Sequence, residues 1–209
     1  MNAQAAAAGP GLGPTMARGG AGPASVRIVV AYGFWIFLLS DIIMFSALFA
    51  SYAVLSGQTD AGPTGRQLFE LRHVGIETLC LLFSSYSCGL GLLAVERRRV
   101  KIFYAAFALT FALGAAFLGL ELSEFAGMIA RGAGPTRSAF LSAFFALVGL
   151  HGAHVTVGLL WLIFMVLQTA VKGPRDFVRR RLLCFSLFWH ALDIIWVALL
   201  TLVYLMGAR

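Results

Sequence analysis

An all-α polytopic membrane protein, a bundle of five transmembrane helices, is what this sequence predicts, and three observations carry the prediction. Its 209 residues are 60% hydrophobic and 12% charged, whereas soluble domains run at roughly 45–50% apolar and 25% charged. Apolar runs recur along the chain at lengths near or above the roughly 20 residues that a helix needs to cross a hydrocarbon core. These runs lack period-2 alternation and are much longer than a barrel strand, so the backbone is satisfied in lipid only as helix.

Residues 1–27 hold eight Ala, six Gly and three Pro, two Arg and no aromatic residue. That composition buries too little apolar surface to offset chain entropy, which predicts a disordered cytoplasmic tail. It also lacks the apolar core of a secretory signal peptide. The transmembrane domain is then 28–209, with spans expected at about 31–55, 74–95, 102–123, 139–168 and 182–206. The fourth apolar stretch runs from Ser138 to Val171 without a formal charge, longer than a perpendicular crossing requires, so this helix is expected to tilt or project beyond the bilayer. Gly62-Pro63-Thr64-Gly65 and Gly134-Pro135-Thr136-Arg137 read as turns in two connections.

The net charge of +7 does not imply nucleic-acid binding, because the cations sit in loops rather than on one folded face. Eleven of the 16 Lys and Arg residues fall in the tail and in the second and fourth connections, and five on the other side. The positive-inside rule therefore predicts a cytoplasmic amino terminus and a periplasmic carboxyl terminus. Arg97, Arg98, Arg99, Lys101, Arg179, Arg180 and Arg181 are candidate contacts for anionic lipid on the inner side. Cys80, Cys88 and Cys184 lie within spans without metal-ligand spacing and read as apolar filler.

Asp41, His151, His154, His190 and Asp193 fall near the middle of spans one, four and five. Charged groups at that depth are expensive and nearly always face a partner or a cavity. His190 and Asp193 are three residues apart on one helix face, as are His151 and His154. The expectation is one intramembrane polar network in which spans one, four and five meet. Glu77, Glu121 and Glu124 form a second group, expected near the outer surface, where they reach water or the neighbouring Arg72, His73 and Arg131. No catalytic, cofactor-binding or metal site is expected. Two histidines of one turn cannot grip a haem from both faces, and the di-iron pattern needs two Glu-x-x-His motifs, of which only Glu70-Leu71-Arg72-His73 has the form. Small residues in span four at Ala143, Ala146, Gly149, Gly152, Ala153, Thr156 and Gly158 favour close helix packing. Trp189 and Trp196 lie well inside span five, where packing or an indole hydrogen bond is expected.

FWIFLLSDIIMFSALFASYAVL at 34–55, FFALVGLHGAHVTVGLLW at 144–161 and LFWHALDIIWVALLTLVYLMG at 187–207 together resemble subunit 3 of the haem-copper oxidases. ETLCLLFSSYSCG at 77–89 and LGLELSEF at 118–125 extend the resemblance to all five spans in order. The five-span form and the loop TDAGPTGRQLFEL at 59–71 are similar to the cytochrome o ubiquinol oxidase branch, with Ser40-Asp41 standing where the family has Ser-Glu. A five-span subunit of a cytochrome c oxidase is the alternative. The resemblance implies a non-redox subunit of a proton-pumping terminal oxidase in a bacterial inner membrane, partnered by subunits 1, 2 and 4. Haem, copper and ubiquinol belong to those partners, while this chain supports assembly, phospholipid binding and proton delivery. The competing reading, a small proton transporter using the histidine and aspartate layer, would show paired broken spans or an inverted repeat, and neither is visible.

Overall fold

The computed structural model describes residues 26–60, 71–173 and 176–207. Five helices run through them: α1 (Val26–Leu55), α2 (Leu71–Glu96), α3 (Val100–Ala130), α4 (Ala139–Lys172) and α5 (Asp176–Leu199). The last continues into a π-helical turn, Leu200–Leu205. All five are long and apolar enough to cross a membrane. The expected tail lies outside the described residues up to position 25, and α1 opens at Val26. The Gly62-Pro63-Thr64-Gly65 turn also lies outside them.

Two helix boundaries differ from expectation with consequences. Helix α3 continues past 123 to Ala130, so Glu121 and Glu124 stand within a helix rather than at its end. Helix α5 begins at Asp176, so Arg179, Arg180 and Arg181 belong to its first turns and not to a loop. Hydropathy reports where a chain leaves the membrane, whereas Glu and Arg are good helix formers and let the helix continue beyond that point. Local chemistry marks other ends: Ser138 caps α4 by accepting a hydrogen bond from the Leu141 N–H at 3.2 Å, and Gly173 closes it at φ 71°, a backbone conformation natural to glycine.

Helices α2 and α3 form an antiparallel hairpin through the short turn Arg97–Arg99 and share the most extensive contact in the fold. Helix α5 packs against α2, α4 and α1, and α4 packs against α1, α3 and α5. Helix α5 is accordingly the most buried span and α1 the least. The core runs through Phe45, Phe117, Phe144, Phe185, Trp189 and Trp196, whose broad side chains interdigitate between helices.

One tight fit surrounds the Trp189 indole. A Cβ added at Gly158 of α4 would lie 2.7 Å from its Cζ3, and one at Gly114 of α3 would lie 3.0 Å from its Cζ2. Both glycines therefore serve close approach rather than turn formation, as small residues do between membrane helices. Replacing Gly158 with Val is expected to destabilise the bundle by about 1–3 kcal/mol, the range for overpacking a filled core. Gly33→Val, where nothing lies within 4 Å, is expected to leave stability nearly unchanged. Thermal unfolding of the two variants in one detergent checks this, and equal melting temperatures would remove the packing argument.

Candidate functional site

Helix α5 meets α2 through a ladder of side-chain hydrogen bonds. The Trp189 indole donates to Ser84 Oγ at 2.8 Å, and the Trp196 indole donates to Thr78 Oγ1 at 3.0 Å. Between them Asp193 has Ser85 as its polar neighbour, and further along Cys88 lies beside Ser186. Thr78, Ser85 and Cys88 are spaced by seven and three residues, which places them on one helix face. The hydroxyl-rich face of α2 escaped the sequence reading, although its period was a usable signal. Ser87 and Thr110 extend the polar seam to α3, where Ser87 donates to the Ala106 carbonyl at 2.7 Å.

The five residues expected in one network are divided among three settings. Asp41 on α1 has His154 of α4 as its electrostatic neighbour, and His154 Nδ1 lies 2.8 Å from the Leu150 carbonyl oxygen. Spans one and four thus do meet here. His151 is fully buried and enclosed by rings, with Trp196 at 5.3 Å, Phe117 at 5.8 Å and Phe45 at 6.4 Å. Neither of its ring nitrogens has a hydrogen-bond partner. Asp193 turns to Ser85 on α2 instead of to α1 or α4, with His190 beside it on the same helix. His190 itself is exposed. Which helix lies opposite each of these residues was not readable in the sequence.

The acidic group does assemble, though not at the surface. Glu77 of α2 is fully buried and Glu121 of α3 is 2% exposed. Each is close enough to the other and to Glu124 for the charges to interact. The Glu121 carboxyl occupies space that glycine leaves on α4, since a Cβ at Gly152 would lie 2.6 Å from Glu121 Oε1. The fourth member is Tyr204 of the π-helical turn, also fully buried, whose hydroxyl donates to Glu124 Oε2 at 3.2 Å. A π turn adds a residue to the helical repeat and so changes which side chains face inward, a feature common at functional sites. Water contact through snorkelling is thus excluded for Glu77 and Glu121. Arg131 directs its Nε to the Gly127 carbonyl oxygen at 3.1 Å on its own helix. Both carboxyl oxygens of Glu77 and the Oε2 of Glu121 lack hydrogen-bond partners.

Among the described residues, no group of three or more His, Cys, Asp or Glu side chains is arranged to hold a metal ion. The cations lie near helix ends. Arg97, Arg98, Arg99 and Lys101 are exposed, with Arg98 at φ 54° in the tight turn. Arg181 stacks 4.1 Å over the Phe177 ring and reaches Gln168 Oε1 at 3.4 Å. An open groove of about 740 Å³ runs from this pair along α4 past Phe164, Trp161 and Leu160.

Residues 16–208 match the family described as Cytochrome c oxidase subunit III. The chain is 48% identical over 177 residues to a cytochrome bo(3) ubiquinol oxidase subunit 3 of Pseudomonas aeruginosa, covering 85% of each protein. It is 41% identical to a quinol oxidase subunit 3 of Bacillus subtilis, over 84% of this chain and 86% of the relative. A cytochrome c oxidase subunit 3 of a Bacillus species is 39% identical over 84% of each.

The Asp193–Ser85 contact can be tested apart from the indole hydrogen bonds. Asp193→Leu is expected to lower the yield of folded protein more than Arg137→Gln in an exposed connection. It strands the Ser85 hydroxyl, and removing one partner costs more than replacing both. In a double-mutant cycle with Ser85→Ala, a coupling of about 0.6 kcal/mol is expected, the average for hydrogen bonds between membrane helices. Strictly additive losses, read from unfolding in detergent, would show that the pair does not interact.

Proposed function

The chain belongs to the cytochrome c oxidase subunit III family, and from that premise we propose that it is the redox-inactive third subunit of a quinol-oxidising, haem-copper terminal oxidase. The observation that carries this reading is similarity to ubiquinol oxidase subunits over about 85% of the chain's length. The five-span form supports the same branch. Electron transfer, dioxygen reduction and proton pumping belong, in this reading, to partner subunits 1, 2 and 4 in a bacterial cytoplasmic membrane. This chain holds the catalytic subunit in an assembled state, keeps phospholipid beside it and supports proton delivery from the cytoplasmic side. Its amino terminus faces the cytoplasm, a reading that the cation distribution supports.

The groove beside Arg181 supports the lipid role. Its walls are apolar along α4, and a guanidinium held between Phe177 and Gln168 stands at one end. An acyl chain fits the first feature and an anionic headgroup the second, with each cation near the surface contributing about 1 kcal/mol of attraction. The Asp41 and His154 pair and the Glu77, Glu121 and Glu124 group are polar elements that a proton-handling subunit would retain within its spans.

Two outcomes are expected. The complex isolated in mild detergent will contain a haem-bearing large subunit, whereas this chain purified alone will show neither haem absorption nor stoichiometric copper or iron. One tightly bound metal per isolated chain would overturn the redox-inactive assignment. Replacing Arg179, Arg180 and Arg181 together with Gln is expected to leave the haem spectrum and initial turnover unchanged. Phospholipid content will fall, and oxygen consumption will decline over many turnovers. Protease accessibility must first show that the variant keeps its orientation. Wild-type lipid content with undiminished sustained activity would leave these arginines a topological role only.

A further inference from the structure

The seam between α2 and α5 carries hydrogen-bonding groups that the described chain does not satisfy. His190 is exposed on α5, and only its Nδ1 is engaged, 2.7 Å from the Ser186 carbonyl oxygen. Asp193, almost one turn further on, has Ser85 as its polar neighbour and turns inward, its Oδ1 enclosed within the bundle. Tyr86, next to Ser85 on α2, is 67% exposed, and its hydroxyl makes no hydrogen bond to the described residues. Other outward hydroxyls behave differently. Ser40, Ser46, Ser51, Thr156 and Thr201 each donate to a carbonyl of their own helix.

These groups lie at the depth where lipid can do least for them. The membrane spans of α2 and α5 are Arg72–Glu96 and Phe177–Leu205, with midpoints at residues 84 and 191, so Tyr86, His190 and Asp193 stand within two residues of the middle. A headgroup is about 15 Å away at that level, and acyl chains offer neither donor nor acceptor. The surrounding face is apolar, with Leu82 44%, Ile194 72% and Val197 44% exposed. A polar notch at the centre of an apolar face is complementary to a helix that carries its own hydrogen-bonding side chain, since such pairs join membrane helices where hydrophobic attraction cannot.

We propose that the α2–α5 seam is the face on which this chain docks against a transmembrane helix of another subunit, one that presents a hydroxyl, carboxamide or carboxyl side chain to His190 and Tyr86. The inference rests on the reading of this chain as a subunit of an oligomeric oxidase and names the surface that reading leaves open. Helix α1, the least buried span, has exposed residues too, but its outward serines are already bonded to their own helix and lipid suffices to cover them.

The test uses the intact complex in native membranes. A photoreactive amino acid is placed at Ile194 or Leu82 on the seam, and at Leu122 of α3 or Phe164 of α4 elsewhere, all of them exposed. Irradiation is expected to join the seam positions to one partner chain and the other two to lipid. His190→Leu is expected to lower the partner recovered with this chain several-fold, and His190→Gln, which keeps a donor and an acceptor, to restore most of it. Seam adducts with lipid alone, or with a second copy of this chain, from membranes whose complex still co-purifies intact would overturn the docking surface and leave the subunit reading standing. Failure of any partner to co-purify with the unmodified chain would overturn both.

Discussion

Polar groups placed in hydrocarbon must find their partners within protein, and that constraint organises this bundle around the contact between α2 and α5. Lipid tails are as apolar as leucine, so helix faces gain little from hiding from them, and association depends on packing and interhelical hydrogen bonds. The indoles of Trp189 and Trp196 each donate to a hydroxyl of α2. They fix both the rotation of α5 and its register along α2. With α5 held in that way, the Trp189 ring enters the space left by Gly114 and Gly158, which sets how closely α3 and α4 approach. One donor atom thereby couples four helices.

The same constraint gives the buried carboxyl group its character. Glu77, Glu121 and Glu124 come from two helices of a hairpin, and α4 contributes the glycine that makes room for Glu121, while the π turn of α5 contributes Tyr204. Four of the five helices therefore meet around acidic side chains at one end of the bundle. Burial of acids without full hydrogen bonding is a cost that folding alone gives no reason to retain. Such a cluster is a more informative feature than the apolar core around it.

Family membership and geometry bear on different parts of the functional reading. The relatives indicate which kind of complex the chain serves, and the bundle indicates where its chemistry is concentrated. His151 sits apart from both polar groups, enclosed by Phe45, Phe117 and Trp196. It is the hub of an aromatic cluster. Asp41 and His154 join α1 to α4, the helix that also carries the groove beside Arg181.

Five spans and their order were legible in the sequence, because hydropathy and helical rise act locally and need no knowledge of neighbours. The indole hydrogen bonds of span five and the close packing of Gly152 and Gly158 were expected from residue type and position. The opposing surface was not legible. Asp193 was expected against span one or four and lies beside Ser85 of α2, and Glu77 and Glu121 were expected in contact with water and are enclosed. Both differences have one cause: a helix face is set by the sequence of that helix, but its partner is set by the packing of all five. The sequence by itself determined a five-helix membrane protein with acids and histidines inside it. Only the tertiary structure decided which of them are enclosed together, which stand alone and which face outward, because rotation and register depend on hydrogen bonds between residues 105 and 118 positions apart.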